Sequence, residues 1–361
     1  MFGKQPLTLI YRSFPKLDRI RAFGGKIMYV SKYSPTVIAS LSNKKVIERL
    51  KKDPDLLYIG QNHRLQLPFY RIERVTTSQR NSQKMLASKQ VIPWNILRVI
   101  NGKRSLTGRS VRVGVIDTGI DLTHPDLVAN IKGGVNIVTP SQPPKDVNGH
   151  GTHIAGVIGA INNSIGVVGI APKVSLYAIK VLNSQGSGSL TDLIKGIEWG
   201  IANRMHILNI SISGGKNIPP ALSRVVNEAT KRGIFVVAAA GNSGTPSGQG
   251  DTVEIPARIP SAIAVAALDR NNKRGNYSAT GPSIDIAAPG TEILSTYSQK
   301  RYATLTGTSM AAAHVSGVLA LMRQAYPHLS VKKMKSLLQS RAIDLPPKGF
   351  DRYTGAGLVQ L

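Results

Sequence analysis

The sequence predicts an α/β fold: a mostly parallel sheet with helices on both faces, preceded by a small α+β unit. Three observations predict it. From residue 111 onward, near-continuous apolar stretches at 111–116, 173–181, 207–212, 235–240 and 263–267 alternate with helical segments at 150–160, 191–203, 219–232, 309–325 and 331–340. Strands apolar on both faces are what a sheet covered on both sides requires. The first 68 residues follow another order, and no repeat of solenoid spacing interrupts either part.

Within 1–68, residues 7–11 predict a strand and 15–23 a short helix. Residues 26–30 and 36–41 predict two more strands. Ser42 reads as an N-cap, with Val46, Ile47 and Leu50 on one helix face until Asp53-Pro54-Asp55 stops it. Residues 56–67 read as a last strand. The order β-α-β-β-α-β is the split, ferredoxin-like pattern. Residues 69–89 are polar and basic without useful periodicity and read as an exposed linker, where maturation cuts are expected. Residues 90–361 then form the main domain.

Composition narrows the function classes. The chain of 361 residues is 42% apolar and 18% charged, a globular profile. No apolar run approaches the ~20 residues of a membrane span. The first thirty residues hold no long apolar stretch of the kind an export signal carries. Cysteine is absent, which excludes thiol catalysis and disulfides. The net charge of +27 suggests an anionic partner, but the basic residues are dispersed and aromatics are only 5%, too few for base stacking. A nucleic-acid partner is therefore not expected, and solubility or surface affinity accounts for the charge.

Four short stretches carry chemistry. Gly307-Thr308-Ser309-Met310-Ala311 leads from a polar strand at 302–306 into an apolar, small-residue helix. A serine in a first helical turn is either an N-cap or a nucleophile whose developing charge the helix start favours. Asp117 ends the first strand of the main sheet, where a carboxylate without a partner is badly placed; cap and catalytic roles both remain. His150 and His153, in Asn148-Gly149-His150-Gly151-Thr152-His153, are spaced for a metal pair, yet no glutamate or cysteine ligand accompanies them. Asn242, in Ala240-Gly241-Asn242-Ser243-Gly244, is a turn residue or an oxyanion donor.

Taken in order, Asp117, His150, Asn242 and Ser309 give carboxylate, base, oxyanion donor and nucleophile. With Asp117-Thr118-Gly119, His150-Gly151-Thr152-His153 and Gly307-Thr308-Ser309-Met310-Ala311 in that order, the sequence resembles the subtilisin family of serine endopeptidases. The resemblance covers residues 90–361 and implies a subtilisin-like three-layer fold and an acyl-enzyme on Ser309. Every catalytic residue type is present, against a non-catalytic scaffold. Residues 1–68 resemble that family's propeptide, an intramolecular chaperone and inhibitor whose tail, Arg64-Leu65-Gln66-Leu67-Pro68, would lie in the cleft.

The resemblance implies further sites. Ser211, Ile212, Ser213 and Gly214 match one substrate-binding edge, and Gly186, Ser187 and Gly188 the other, with Leu190 in a side pocket. Ser213 stands where the family usually has glycine. Glu254 matches the floor of the first specificity pocket and would favour Lys or Arg before the cut bond. Gln90, Asp126, Ile161, Asn163, Ile165 and Val167 match the ligands of a structural calcium ion, all oxygen donors. Ala257, Ile259, Ala262 and Asp285 match a weaker cation site. Ala313 departs from the family's usual proline, which would restore an N–H in the helix's first turn. Protein or peptide substrates, a monomer and an extracellular enzyme are the remaining expectations. A cytoplasmic location is the alternative.

Overall fold

The computed structural model describes residues 6–15, 17–41, 44–76, 89–102 and 105–361. The expected cap at Ser42 and the linker stretch 77–88 lie outside them. The N-terminal unit comprises β1 (Leu7–Tyr11), α1 (Leu17–Ala22), β2 (Lys26–Val30), β3 (Thr36–Ser40), α2 (Lys44–Lys51) and β4 (Leu56–Gln61). Its four strands form one antiparallel sheet in the order β2-β3-β1-β4, as the split pattern requires. Leu9, Tyr11, Ile20, Val37, Leu41 and Leu50 fill a core of its own.

The predicted strand 56–67 is two strands. β4 stops at Gln61, and β5 (Arg64–Gln66) leaves the small sheet to pair with β10 (Ser187–Ser189) of the main domain. The linker reading is corrected as well. Arg71–Val75 is β6, laid antiparallel along β16 (Arg301–Thr306), which pairs in turn with β15 (Ile293–Tyr297). Period-two hydrophobicity could not reveal β6, because its side chains are almost all exposed and its bonds are main-chain.

After α3 (Trp94–Ile100) comes the main sheet. β7 (Arg112–Asp117), β8 (Ile131–Asn136), β9 (Ser175–Lys180), β11 (Ile207–Ile210), β12 (Phe235–Ala239), β13 (Ile263–Leu268) and β14 (Ile286–Pro289) run parallel in the order β14-β13-β12-β11-β7-β9-β8. The central strands are wholly buried. One face is covered by α4 (His150–Gly159) and α7 (Thr308–Ala325), the other by α5 (Leu190–Ala202) and α6 (Pro220–Lys231); α8 (Val331–Ser340) follows near the C-terminus. This α/β arrangement fits the predicted class. Edge strands β8 and β14 escaped the pattern, β8 because Gly133-Gly134 interrupts it.

The N-terminal unit sits on α5 and α6. Ser189 and Asp192 close a capping box at the start of α5. The next two N–H groups, on Leu190 and Thr191, donate to His63 O at 2.9 Å and Asn62 Oδ1 at 3.1 Å. Buried Glu198, further along α5, accepts from Tyr29 Oη, Ser31 Oγ and the Lys32 N–H. Arg224 on α6 donates to Tyr11 O at 3.0 Å.

Candidate active site

Asp117 closes β7, at the carboxyl edge where parallel sheets place ligands. It is fully buried, and both its oxygens lie 2.9 Å from His150 Nδ1 at the start of α4. The Thr118 N–H donates to Asp117 Oδ1 at 2.7 Å. Gly151 makes this approach feasible: a Cβ there would lie 2.2 Å from Gly119 O. Gly149, at φ 112°, turns the chain into α4, where a Cβ would strike the Tyr297 ring.

Asp146, which sequence reasoning missed, holds this half together. Its Oδ1 accepts from Thr118 Oγ1 and from the N–H groups of Asn148 and Gly149. Its Oδ2 accepts from the N–H and hydroxyl of Thr152. In sequence it reads only as a turn aspartate.

Ser309 is the second residue of α7 and fully buried beneath the chain that crosses it. Gly307 before it is extended (φ 166°), so space rather than a tight turn selects glycine: a Cβ would sit 3.1 Å from Asn242 Nδ2. Thr308, also missed, fixes Asn242. Its N–H and hydroxyl both donate to Asn242 Oδ1, at 2.9 and 2.8 Å, which turns the amide N–H groups outward. They meet the chain's own Phe69 carbonyl, Nδ2 to O 2.6 Å. Tyr70 then lies against His150, ring centroids 4.8 Å apart. His150 Nε2 and Ser309 Oγ are buried, and neither has a hydrogen-bond partner.

The two other histidines here are structural. His153 Nε2 donates to Ile293 O and Ala303 O, and burial pushes its pKa down to about 3. That use removes the His150–His153 metal pair. His314, lowered by burial to about 4, bonds through Nδ1 to Met310 O and through Nε2 to Asn95. Ala313 is buried within an unbroken α7.

The two edges expected to bind substrate are filled by the N-terminal tail. Gln66 exchanges two backbone bonds with Ser213 (3.1 and 2.9 Å), and the Leu67 N–H donates to Gly186 O at 2.9 Å. Gln66 and Leu65 stand opposite Ser187 and Gly188. Leu65 is 1% exposed and belongs to the cluster of Leu190, Ile212 and Ile255; a Cβ on Gly214 would overlap it at 2.4 Å. Ser211 Oγ donates to Ser309 O at 3.4 Å. Pro68 is buried while the Phe69 side chain is 83% exposed. The buried side chain and the carbonyl at the Asn242 amide thus belong to successive residues. Glu254 is buried beside Gly241, and Ser243 Oγ donates to its Oε1 at 2.6 Å.

Of the two cation readings, one set of residues converges. The Gln90 side-chain amide meets Ile161 O, Asn163 Oδ1 and Val167 O at 2.9, 2.8 and 3.3 Å, and Asp126 lies next to them, bonded by the Asn163 amide and the Val167 N–H. The Ile165 N–H donates to Asn163 Oδ1. Among the described residues no group of three His, Cys, Asp or Glu could hold a metal, so this donor set is mainly neutral oxygen. The weaker cation site is corrected. Lys335 Nζ lies 2.7 Å from Asp285 Oδ1 and 3.3 Å from Ala262 O, so an ammonium already stands there and would repel a second cation. Ala257 and Ile259 are buried nearby without that role.

A buried carboxylate, an imidazole, a serine at a helix start and an outward-facing amide are thus brought to one cleft floored by two strand edges. Known proteins with this sequence pattern are numerous. The sequence model described as the subtilase family matches residues 108–357. Subtilisin E of Bacillus subtilis is 40% identical over 355 residues, 97% of this chain and 85% of its own. An alkaline protease of Alkalihalobacillus alcalophilus is 46% identical over 328 residues, 90% of this chain and 78% of its own. Subtilisin Savinase of Lederbergia lenta is 46% identical over 273 residues, 75% of this chain and 97% of its own. The chain belongs to the subtilase family and is a serine endopeptidase.

Proposed function

We propose that this endopeptidase is made as a zymogen, with residues 1–68 as its inhibitor, and that Ser309, His150, Asp117 and Asn242 carry the reaction. Ser309 Oγ attacks the scissile carbonyl carbon while His150 Nε2 takes its proton and passes it to the leaving amine. Asp117 fixes the imidazole with Nε2 free to act and stabilises its positive charge. Asn242 Nδ2 and the Ser309 N–H donate to the oxyanion. Water then releases the acyl group by the same route. The observation that carries the zymogen reading is β5, paired in the substrate cleft and continuous with a unit that has its own core.

Glu198 tests it. Hydrogen bonds to a charged group contribute about 1.5–3 kcal/mol each, so Glu198→Ala loosens the unit's hold by tenfold or more. The freshly purified full chain is expected to hydrolyse a peptide only after a lag, and Glu198→Ala to shorten that lag several-fold. A chain fully active from the first minute, or equal lags, would end the inhibitor reading.

A preference for Lys or Arg before the cut bond is the second part of the proposal. Glu254 is buried beside Gly241, next to the oxyanion donor, and none of the described residues forms an ion pair with it. Glu254→Ala is expected to lower kcat/KM for Lys and Arg peptides at least tenfold relative to Phe. Unchanged ratios would remove Glu254 from specificity. Calcium, held by Gln90, Asp126, Asn163 and the carbonyls of Ile161, Ile165 and Val167, would be structural; when bound it supplies a rigid tie between residue 90 and the loop after α4 and takes no part in the chemistry. Among the described residues no helix is long and apolar enough to cross a membrane. We place the enzyme outside the cell, where an attached inhibitor keeps it silent until export, acting as a monomer on protein substrates.

A further inference from the structure

A basic cleft opens at the end of the main sheet opposite the catalytic centre. Residues 109–111 lead into β7, His206 immediately precedes β11, and Arg323 and Gln324 lie in the last turn of α7. Together they line a cleft of about 410 Å³. Asp117 ends β7 and the cleft lies before its first residue, a strand's length of about 20 Å away. None of the lining residues comes from the N-terminal unit, and none is a carboxylate. Burial, and then the nearby Arg112 and Arg323 cations, pushes the His206 pKa down to about 4, so its imidazole is neutral. The tautomer is fixed as well. The Arg112 N–H donates to His206 Nδ1 at 2.9 Å, so Nε2 carries the proton, and no described residue accepts it. Gln324 is oriented in the same manner. Its Oε1 accepts from the Thr107 and Gly108 N–H groups at 3.0 and 2.7 Å, which leaves its Nε2 to donate elsewhere. Arg323 gives Nη1 to Leu329 O at 3.0 Å and keeps its other N–H groups. Arg109 is exposed and has no ion pair or hydrogen bond among the described residues. Cations gathered without an acid repel one another, which an anion between them would relieve. A carboxylate offers two oxygens, whereas four separate donor groups match a tetrahedral anion.

We propose that this cleft is a phosphate-binding site, formed by Arg109, Arg323, His206 Nε2 and Gln324 Nε2, which takes a phosphate group as the free ion or as part of an anionic polymer. A guanidinium holds two phosphate oxygens at once, and the imidazole and amide donors reach those that remain. The net charge of +27 draws a phosphate polymer to the whole surface, and the cleft gives it one fixed point of attachment. That point is at the amino edge of the sheet, so a polymer held there leaves the carboxyl edge, with Asp117, open to substrate.

The inference does not depend on the zymogen reading. Isothermal titration of the full chain carrying Ser309→Ala, which prevents self-digestion, tests it with inorganic phosphate and linear polyphosphate as separate probes. Phosphate is expected to bind saturably at one equivalent. Arg109→Glu should weaken it at least tenfold and leave the melting temperature unchanged, since Arg109 supports nothing else. Arg323→Gln should weaken it as much; it also loses the bond to Leu329 O, so its thermal melt is read alongside. Lys52→Glu makes the same change in net charge as Arg109→Glu, at an exposed position on the N-terminal unit, and should leave phosphate affinity unaltered. Polyphosphate should lose affinity in the same two variants and be displaced by phosphate. Binding of inorganic phosphate without polyphosphate would support the site as a receptor for the free ion. The site would be overturned by three results: no saturable phosphate binding, equal weakening by Lys52→Glu, or polyphosphate that phosphate cannot displace. In each case diffuse attraction to a basic surface would be enough.

Discussion

Replacing Ser309 by alanine is expected to lower kcat for a peptide by roughly a millionfold, the size of loss known from subtilisin itself, with KM little changed. A methyl group cannot attack a carbonyl, so His150 and Asp117 have no proton to relay. The rate that remains comes from binding and from the Asn242 amide. His150→Ala should fall by a similar amount, and the double variant scarcely further, because the two act as one unit. The substitution leaves the fold alone. Ser309 Oγ has no hydrogen-bond partner, so its removal breaks no bond, and alanine is a good helix former. The variant's melting temperature should therefore match that of the intact wild-type chain. Single-turnover kinetics beside a thermal melt check both halves. A variant that keeps a hundredth of the activity, or that unfolds many degrees lower, would deny Ser309 the nucleophile's part.

How much of this could be read from the sequence divides along a physical line. The buried strands of the main sheet were legible because both faces are covered, which forces runs of apolar residues such as Phe235–Ala239. The N-terminal unit was legible because its strands and helices alternate in a recognised order. The four side chains proposed to carry the reaction stood out because each sits in a short glycine-marked stretch. What escaped has a shared cause: it depends on which chain lies beside which. β6 and the split of 56–67 are set by edges that other strands offer, and an edge leaves no mark on the strand that fills it. Asp146 and Thr308 work by orienting neighbours, and a turn aspartate or helix-start threonine has ordinary uses that look the same. Lys335 lies 50 residues from Asp285, and only the fold shows that its ammonium fills a place read as a cation site.

Removing calcium is expected to lower the melting temperature by about 10 °C, and the argument runs through Gln90. Its amide nitrogen is surrounded by Ile161 O, Asn163 Oδ1 and Val167 O. Turned over, the same amide would direct Oε1 at those oxygens, an arrangement that a cation alone makes favourable. The donors are oxygen only, and Asp126 adds one carboxylate, a set that suits Ca²⁺ and not a soft metal. Ligand at a thousandfold excess over its dissociation constant stabilises by about 4 kcal/mol, and each kcal/mol moves a domain of this size by about 2–4 °C. The Ser309→Ala chain is the one to melt, so that self-digestion does not intrude. With chelator it should melt about 10 °C below its value in millimolar Ca²⁺, and Mg²⁺, which demands a small octahedral shell, should not substitute. Gln90→Ala should lose most of the calcium response while changing little in chelator, because Gln90 is only half-buried and contributes no core packing. Asp126→Ala is the less clean variant: Tyr302 Oη and the Val167 N–H also bond to that carboxylate, so its loss weakens the metal-free protein too. Equal melting temperatures in calcium and chelator would mean that Gln90 closes the cradle by itself, and that the oxygens around it hold an amide rather than an ion.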